Sequence, residues 1–390
     1  MLTRRRFFFG SLALPALAAK KLPAPAQPNV LLLAPDYLPA WILGSYGNKE
    51  VKTPHLDLLA KMGTRFLNHS TCSPEPGTGR ATLVSGLTPM QVHDAETLPA
   101  GEGGLEKLLA GMGYATHEAE AGAAPQFLDA QSPGKPFFLH VRCPYLIPPY
   151  EGVAQKFRDQ YAATKFDTFN PERPAANARR NRELLASPIA SLRKYAAAVS
   201  AFDDEAGALI TRLTAKGLLE NTLIVFTATC GNLATHHGLW GAGDASEPRN
   251  MFQEAVLTPL IWSWLGHVPA DVTKPDQVSA YDLVPTICEI LASNLPGANL
   301  CGRSYLPLAT GKPLPKKQPW RTTVFASDHE TAMARVERYK VVERVPGAGE
   351  LYDLVSDPGE RANQYENGEF LSVRQELAGG LAAWRQRYSA

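Results

Sequence analysis

The sequence predicts an α/β protein: a doubly wound, mostly parallel sheet flanked by helices, followed by a small C-terminal antiparallel β+α subdomain. Three observations predict it. Continuous apolar runs, Asn29-Val30-Leu31-Leu32-Leu33-Ala34 and Phe137-Phe138-Leu139-His140-Val141, suit strands buried on both faces of a parallel sheet. Between such runs, Tyr195, Val199, Phe202, Ala206, Leu209, Ile210 and Leu213 recur at helical spacing and would cover one sheet face. Toward the C terminus the pattern shortens to segments that suit antiparallel strands ahead of a closing helix. The expected division is residues 1–27 as leader and linker, 28–312 as the α/β domain and 313–390 as the C-terminal subdomain.

The composition is that of an ordinary globular chain, with 45% hydrophobic and 20% charged residues in 390. A formal net charge of +1 supplies no general field for nucleic acid or for an acidic membrane surface. A polyanionic partner would need a local patch. Thr3-Arg4-Arg5-Arg6-Phe7-Phe8 and the apolar run after it, to Ala19, have the layout of a bacterial twin-arginine export signal, with a cleavage site at Ala16-Leu17-Ala18. A membrane anchor fits less well, because the run is short for a bilayer and is broken by Pro15. The expected location is therefore periplasmic or secreted, with no membrane contact after cleavage. Cys72, Cys143, Cys230, Cys288 and Cys301 have no zinc spacing, and their odd number leaves at least one thiol outside any internal pairing.

Taken in order, the Pro/Ala linker from Leu22 to Pro28 leads into the first strand, and Asp36 lies just past its C-terminal end, where α/β folds place ligands. Thr53 and Pro54 read as the N-cap and first turn of a helix. Ser73-Pro74-Glu75-Pro76-Gly77-Thr78-Gly79-Arg80 is a Gly-containing turn that opens a short helix and could aim backbone N–H groups at an anion. A dinucleotide or phosphate loop is the weaker rival, since both fingerprints are missing. Residues 151–188 are polar and Pro-broken, with Arg173, Arg179, Arg180 and Arg182 close together; they read as a solvated excursion, with an anion-binding lid as the alternative. The runs Leu218 to Thr227 and Leu257 to Trp262 read as further strands. After the linker Gly311 to Pro319, residues Arg335–Val342 and Glu350–Leu354 suit antiparallel strands, Asp357-Pro358-Gly359-Glu360 a turn, and Leu371–Tyr388 the last helix.

These segments in combination resemble the sulfatase family, a branch of the alkaline-phosphatase-like superfamily, over nearly the whole chain from Asn29 to about Trp384. The shared features include Thr53-Pro54-His55-Leu56-Asp57, Gly113-Tyr114-Ala115-Thr116, Leu239-Trp240-Gly241 and Tyr281-Asp282-Leu283-Val284-Pro285-Thr286. In the family the segment around residue 76 reads Ser-Pro-x-Cys-x-Pro-Ser-Arg, and its Cys becomes the formylglycine that attacks the sulfate ester. Ungapped spacing from Thr53 puts Pro76 at that position, and Arg80 is retained. Cys72 is the alternative alignment. The resemblance further implies calcium ligands at Asp36 and Tyr37, a Lys and a His at Ala121 and Ala123, and a proton donor at Ile147. It also implies an Asp-His pair at Thr229-Cys230 and a Lys at Ala242. Only Asp36 and Arg80 keep the family's residue, while His236 and His237, before Gly-Leu-Trp-Gly, read as structural.

The losses fall in separate segments and have one sense. Calcium needs several negatively charged oxygen ligands, and covalent attack needs an activated nucleophile; proline supplies none. The leading expectation is an exported, catalytically inactive member with Asp36 and Arg80 as remnants, no cofactor, and sulfated or other anionic glycans as partners. The enzyme alternative is a sulfuric or phosphoric ester hydrolase with a rebuilt site that uses Thr78 or Cys72 and a divalent metal such as calcium. A third reading is a structural partner of an active relative.

Overall fold

The run at residues 29–33 becomes the central strand in the computed structural model, which describes residues 27–92, 104–296 and 299–389. The leader expected over residues 1–27 lies, but for its last residue, outside the described residues. The first sheet contains β1 (Asn29–Leu33), β2 (Thr64–Ser70), β3 (Ala115–Glu120), β4 (Phe137–Arg142), β5 (Thr222–Phe226), β6 (Leu260–Ser263) and β7 (Val272–Ser279). Its order is β3-β4-β1-β5-β6-β2-β7, and only β6 pairs antiparallel with its neighbours. β1 is buried at every position because β4 and β5 pair with it in parallel on either side and helices cover both faces.

The principal helices are α1 (Pro54–Lys61), α2 (Pro76–Ser85), α3 (Leu105–Gly111), α4 (Pro188–Ala215), α5 (Leu283–Ile290) and α6 (Leu371–Tyr388). Leu31 and Leu33 pack into one core with Tyr195, Phe202 and Leu209 of α4. Val30 and Leu32, pointing the other way along the same strand, join Leu283, Val284 and Ile287 of α5. The period-2 alternation of one strand thus builds both layers. A separate antiparallel sheet, β8 (Val324–Asp328), β9 (Thr331–Arg335), β10 (Tyr339–Arg344) and β11 (Glu350–Asp353), packs against α6. Among the described residues, no helix is long and apolar enough to cross a membrane.

Some local expectations change. The strand expected over Arg335–Val342 is two strands: Arg335 ends β9, and the chain turns before Tyr339, with the Val336 N–H donating to the Tyr339 carbonyl at 2.9 Å. No Gly or Pro marks that turn. Thr53 stands at the N-cap of α1 but does not cap it; its hydroxyl accepts from the Gly44 N–H at 3.0 Å and donates to Asp57 at 3.1 Å. Residues 151–188 are not simply solvated. Tyr161, Phe166 and Phe169 are buried in the α4 core, and the Arg179 N–H donates to the Ala245 carbonyl at 2.8 Å. The aromatic residues anchor a stretch whose other side chains are polar.

A buried ion pair within the subdomain is tied to the main domain through backbone hydrogen bonds, the Lys340 ammonium donating to the Met251 carbonyl. Lys340 of β10 pairs with Glu360, and Glu360 also accepts the Gln253 N–H at 2.7 Å. Glu360, expected only as part of a surface turn, is buried here, and a buried charge must be paired.

His69 on β2 gives the fold a measurable pH dependence. Its imidazole is buried, with Nδ1 2.7 Å from the Thr258 hydroxyl, and burial pushes its pKa down to about 3 from 6.5. The folded chain therefore holds it neutral while the unfolded chain takes up a proton. This contribution is complete above about pH 6.5 and is lost progressively as the pH falls toward about 3. Urea denaturation at pH 7 and pH 5 should show a loss of about 1–2 kcal/mol from this group at the lower pH, and His69→Gln should flatten that part of the slope.

Candidate functional site

The site is organised by Asp36, at the carboxyl end of β1 and only 6% exposed. Its Oδ2 accepts from Nη2 of Arg80 on α2 at 3.0 Å, and its Oδ1 accepts from the Thr229 hydroxyl at 2.5 Å. Both oxygens are engaged by protein donors. Thr229 is held in turn, because its N–H donates to the Pro35 carbonyl at 3.0 Å and its own carbonyl accepts from the Thr71 hydroxyl at 2.6 Å. The structure thus brings the two retained residues into one ion pair. It adds Thr229, which stands where the resemblance implied an acidic ligand.

Neighbouring positions close the centre with apolar or weakly polar groups. The Tyr37 N–H points at Sγ of Cys230 at 3.4 Å, and the Tyr37 carbonyl accepts from the Tyr195 hydroxyl at 2.7 Å. These bonds hold Tyr37 at φ 57°, which is rare for a bulky side chain. Burial raises the pKa of both the Tyr37 phenol and the Cys230 thiol, so neither readily carries charge. Ala121 and Ala242 are buried, while Ala123 and Ile147 are exposed. Asp36 borders a cleft of about 30 Å³ lined also by Glu120, Arg142, Cys143, Pro144 and Ile147, room for about one water.

The Gly-containing turn acts differently from the anion cradle expected of it. Glu75 is the N-cap of α2, and its carboxylate accepts the Thr78 N–H at 2.6 Å. The helix end is therefore already complemented by the chain's own anion. Pro76, in the first turn, has no N–H to offer. Gly79 is needed for packing, since a Cβ there would lie 2.5 Å from the Thr229 carbonyl oxygen. Cys72 is fully buried beside Ser279, with 3.6 Å between Sγ and Oγ, and burial raises its thiol to about 12. A thiol in that state is a poor nucleophile.

Sequence reasoning missed a charged network beside this centre. Glu118 of β3 and His140 of β4 stand opposite in parallel register. Nδ1 of His140 is 3.2 Å from Oε2 of Glu118, and Nη1 of Arg142 is 2.9 Å from Oε1. Hydrogen bonding to His140 first, and then to Arg142, holds the Glu118 carboxyl at about 2 against the opposing effect of burial. The i, i+2 spacing of His140 and Arg142 was visible; the strand opposite them was not. Arg180, from the Arg-containing excursion, reaches Asp244 at 3.0 Å, and burial raises the Asp244 carboxyl. His237, Glu254 and Glu360 bring ligand-type atoms within 4.8 Å of one another. Lys340 and His236 already pair with those two carboxylates, which gives the histidines a structural setting.

Comparison with known proteins agrees with this architecture. The family model described as sulfatase matches residues 28–123 and 121–293, and one described as N-sulphoglucosamine sulphohydrolase, C-terminal, matches residues 241–387. The chain is similar to arylsulfatase A of Bos taurus, at 27% identity over 89% of this chain and 85% of the relative. It is also similar to a delta 4,5-hexuronate-2-O-sulfatase of Bacteroides thetaiotaomicron, at 24% identity over 93% and 89%. Among solved structures, one in complex with its substrate D-glucosamine-2-N,6-O-disulfate superposes with a TM-score of 0.78. That match has 18% identity and covers 93% of this chain and 98% of the other.

The Asp36 pairing can be tested through stability. Removing Arg80 leaves a largely buried carboxylate without its cation, so Arg80→Met should cost about 2–4 kcal/mol, and Thr229→Val about 1–3 kcal/mol. Combining Arg80→Met with Asp36→Asn should recover part of the first loss. Additive losses in the double-mutant cycle would show that the two side chains do not support each other.

Proposed function

The chain belongs to the sulfatase family, and on that premise we propose that it is an exported, noncatalytic member that binds sulfated or other anionic glycans. The observation that carries this reading is the saturation of Asp36 by Arg80 and Thr229. A calcium site needs six to eight oxygen ligands with net negative charge. Around Asp36 the donor set is instead a guanidinium, a hydroxyl that donates, and the sulfur of Cys230 nearby. These residues do not fit a divalent cation, and Arg80 supplies in their midst the positive charge that a metal would bring.

The nucleophile position supports the same reading. Pro76 cannot attack, the Cys72 thiol is buried, and the Thr78 N–H is held by the carboxylate of Glu75, with no cationic or basic partner for Thr78 among the described residues. Glycan binding is supported by the hexuronate sulfatase and the glucosamine disulfate complex among the similar proteins, together with the retained guanidinium of Arg80. Export rests on the arginine and apolar pattern of residues 3–19.

The test is a turnover and binding experiment on the mature protein. With an aryl sulfate or aryl phosphate substrate, calcium or chelator should change neither the rate above background nor the melting temperature. A sulfated oligosaccharide at ten times its Kd should stabilise the fold by about 1.4 kcal/mol, and Arg80→Ala should lose that gain. Metal-dependent turnover that disappears on Thr78→Ala or Cys72→Ala would establish the enzyme alternative instead.

A further inference from the structure

Between α2, α3 and the strands β3 and β4 lies a cleft of about 560 Å³, within the range of small-molecule sites. It is separate from the narrow opening at Asp36, although Arg142 borders both spaces and Arg80, in the cleft lining, pairs with Asp36. Phe138, His140 and Arg142, alternate residues of β4, line its floor, and Val84 of α2 and Lys107 of α3 line its walls.

Two buried polar atoms of the lining residues have no hydrogen-bond partner among the described residues: Nε2 of His140 and Nε of Arg80. Such atoms are uncommon in folded proteins, and His140 is only 2% exposed. The opposite end of each group is already fixed. Nδ1 of His140 faces Glu118, and Nη2 of Arg80 is held by Asp36. A carboxylate can only accept, and Glu118 stays ionised at neutral pH, so a proton sits on Nδ1, and in the neutral ring Nε2 is an acceptor. Nε of Arg80 can only donate.

The group that completes this pair must bring a donor to His140 and an acceptor to Arg80. A sugar hydroxyl beside a sulfate or carboxylate oxygen does both. Val84, half-buried on α2, and the exposed Ala110 of α3 offer apolar surface to the C–H face of a ring. A metal ion fits poorly, because the guanidinium groups of Arg80 and Arg142 border the space where a cation would sit.

We propose that this cleft, and not the closed centre at Asp36, is the saccharide site: a ring hydroxyl donates to Nε2 of His140 while an adjacent anionic oxygen accepts from Nε of Arg80. The proposal rests on the anionic-glycan reading above and gives it a location. The experiment is calorimetric titration of the full mature chain with D-glucosamine-2-N,6-O-disulfate and with a sulfated hexuronate disaccharide. The unmodified protein is compared with His140→Phe, Val84→Trp and Ile147→Trp, the last at the mouth of the Asp36 opening.

Binding of at least one probe, weakened at least tenfold by both His140→Phe and Val84→Trp, is the expected result. If His140→Phe does not fold, Val84→Trp on the partly exposed wall decides alone. Unchanged binding in Val84→Trp together with loss in Ile147→Trp would overturn this location and leave the glycan reading standing. Absence of binding of either probe to the unmodified protein would overturn both.

Discussion

A carboxylate buried at the carboxyl end of a parallel strand must be neutralised or solvated, and around Asp36 the chain meets that requirement with its own residues. Arg80 supplies the charge and Thr229 the second hydrogen bond. The backbone is arranged to deliver both. α2 approaches the loop after β5 closely enough that only a glycine fits at residue 79, and that approach brings Arg80 to Asp36. The same loop places Thr229, with Cys230 against the backbone of Tyr37. A pair formed this way is stable without an added ion, since its Coulomb attraction acts in a partly dehydrated setting.

With this centre closed, the open polar space lies beside it. In a sheet with helices on both faces, strand ends and gaps between helices are where polar residues can gather without disturbing the core. β3 is an edge strand with most side chains partly or fully exposed, so Glu118 can face His140 and Arg142 where the cover of helices is incomplete. The charged network there is satisfied on one side and open on the other. The guanidinium of Arg80 both lines the cleft and pairs with Asp36, which couples that ion pair to anything that occupies the cleft.

The main architecture was legible because burial on two faces leaves a strong mark on composition. The runs that became β1, β4, β5 and β6 are almost wholly apolar, and the α4 pattern repeats over many turns. Strands β2, β3 and β7 left little mark. β7 carries Pro275 between Lys274 and Asp276 at a sheet edge, and β3 buries only Ala119. The turn inside Arg335–Val342 was hidden because its residues lack the usual turn chemistry. Residues 151–188 misled for a different reason: a few aromatic residues dock the segment, whereas its average composition is polar.

The sequence by itself determined the layered α/β fold and the identity of the replaced side chains. Buried strands require apolar runs, and a proline or alanine has no reacting group wherever the chain puts it. Tertiary structure alone decided what the surviving groups do. Asp36 and Arg80 are 44 positions apart in the chain, and Thr229 lies 193 beyond Asp36, so their union as an ion pair with a third donor follows from helix packing and strand order. The unpartnered nitrogen of His140 arises in the same way, because parallel pairing of β3 and β4 sets Glu118 against one ring nitrogen and leaves the other without a partner among the described residues.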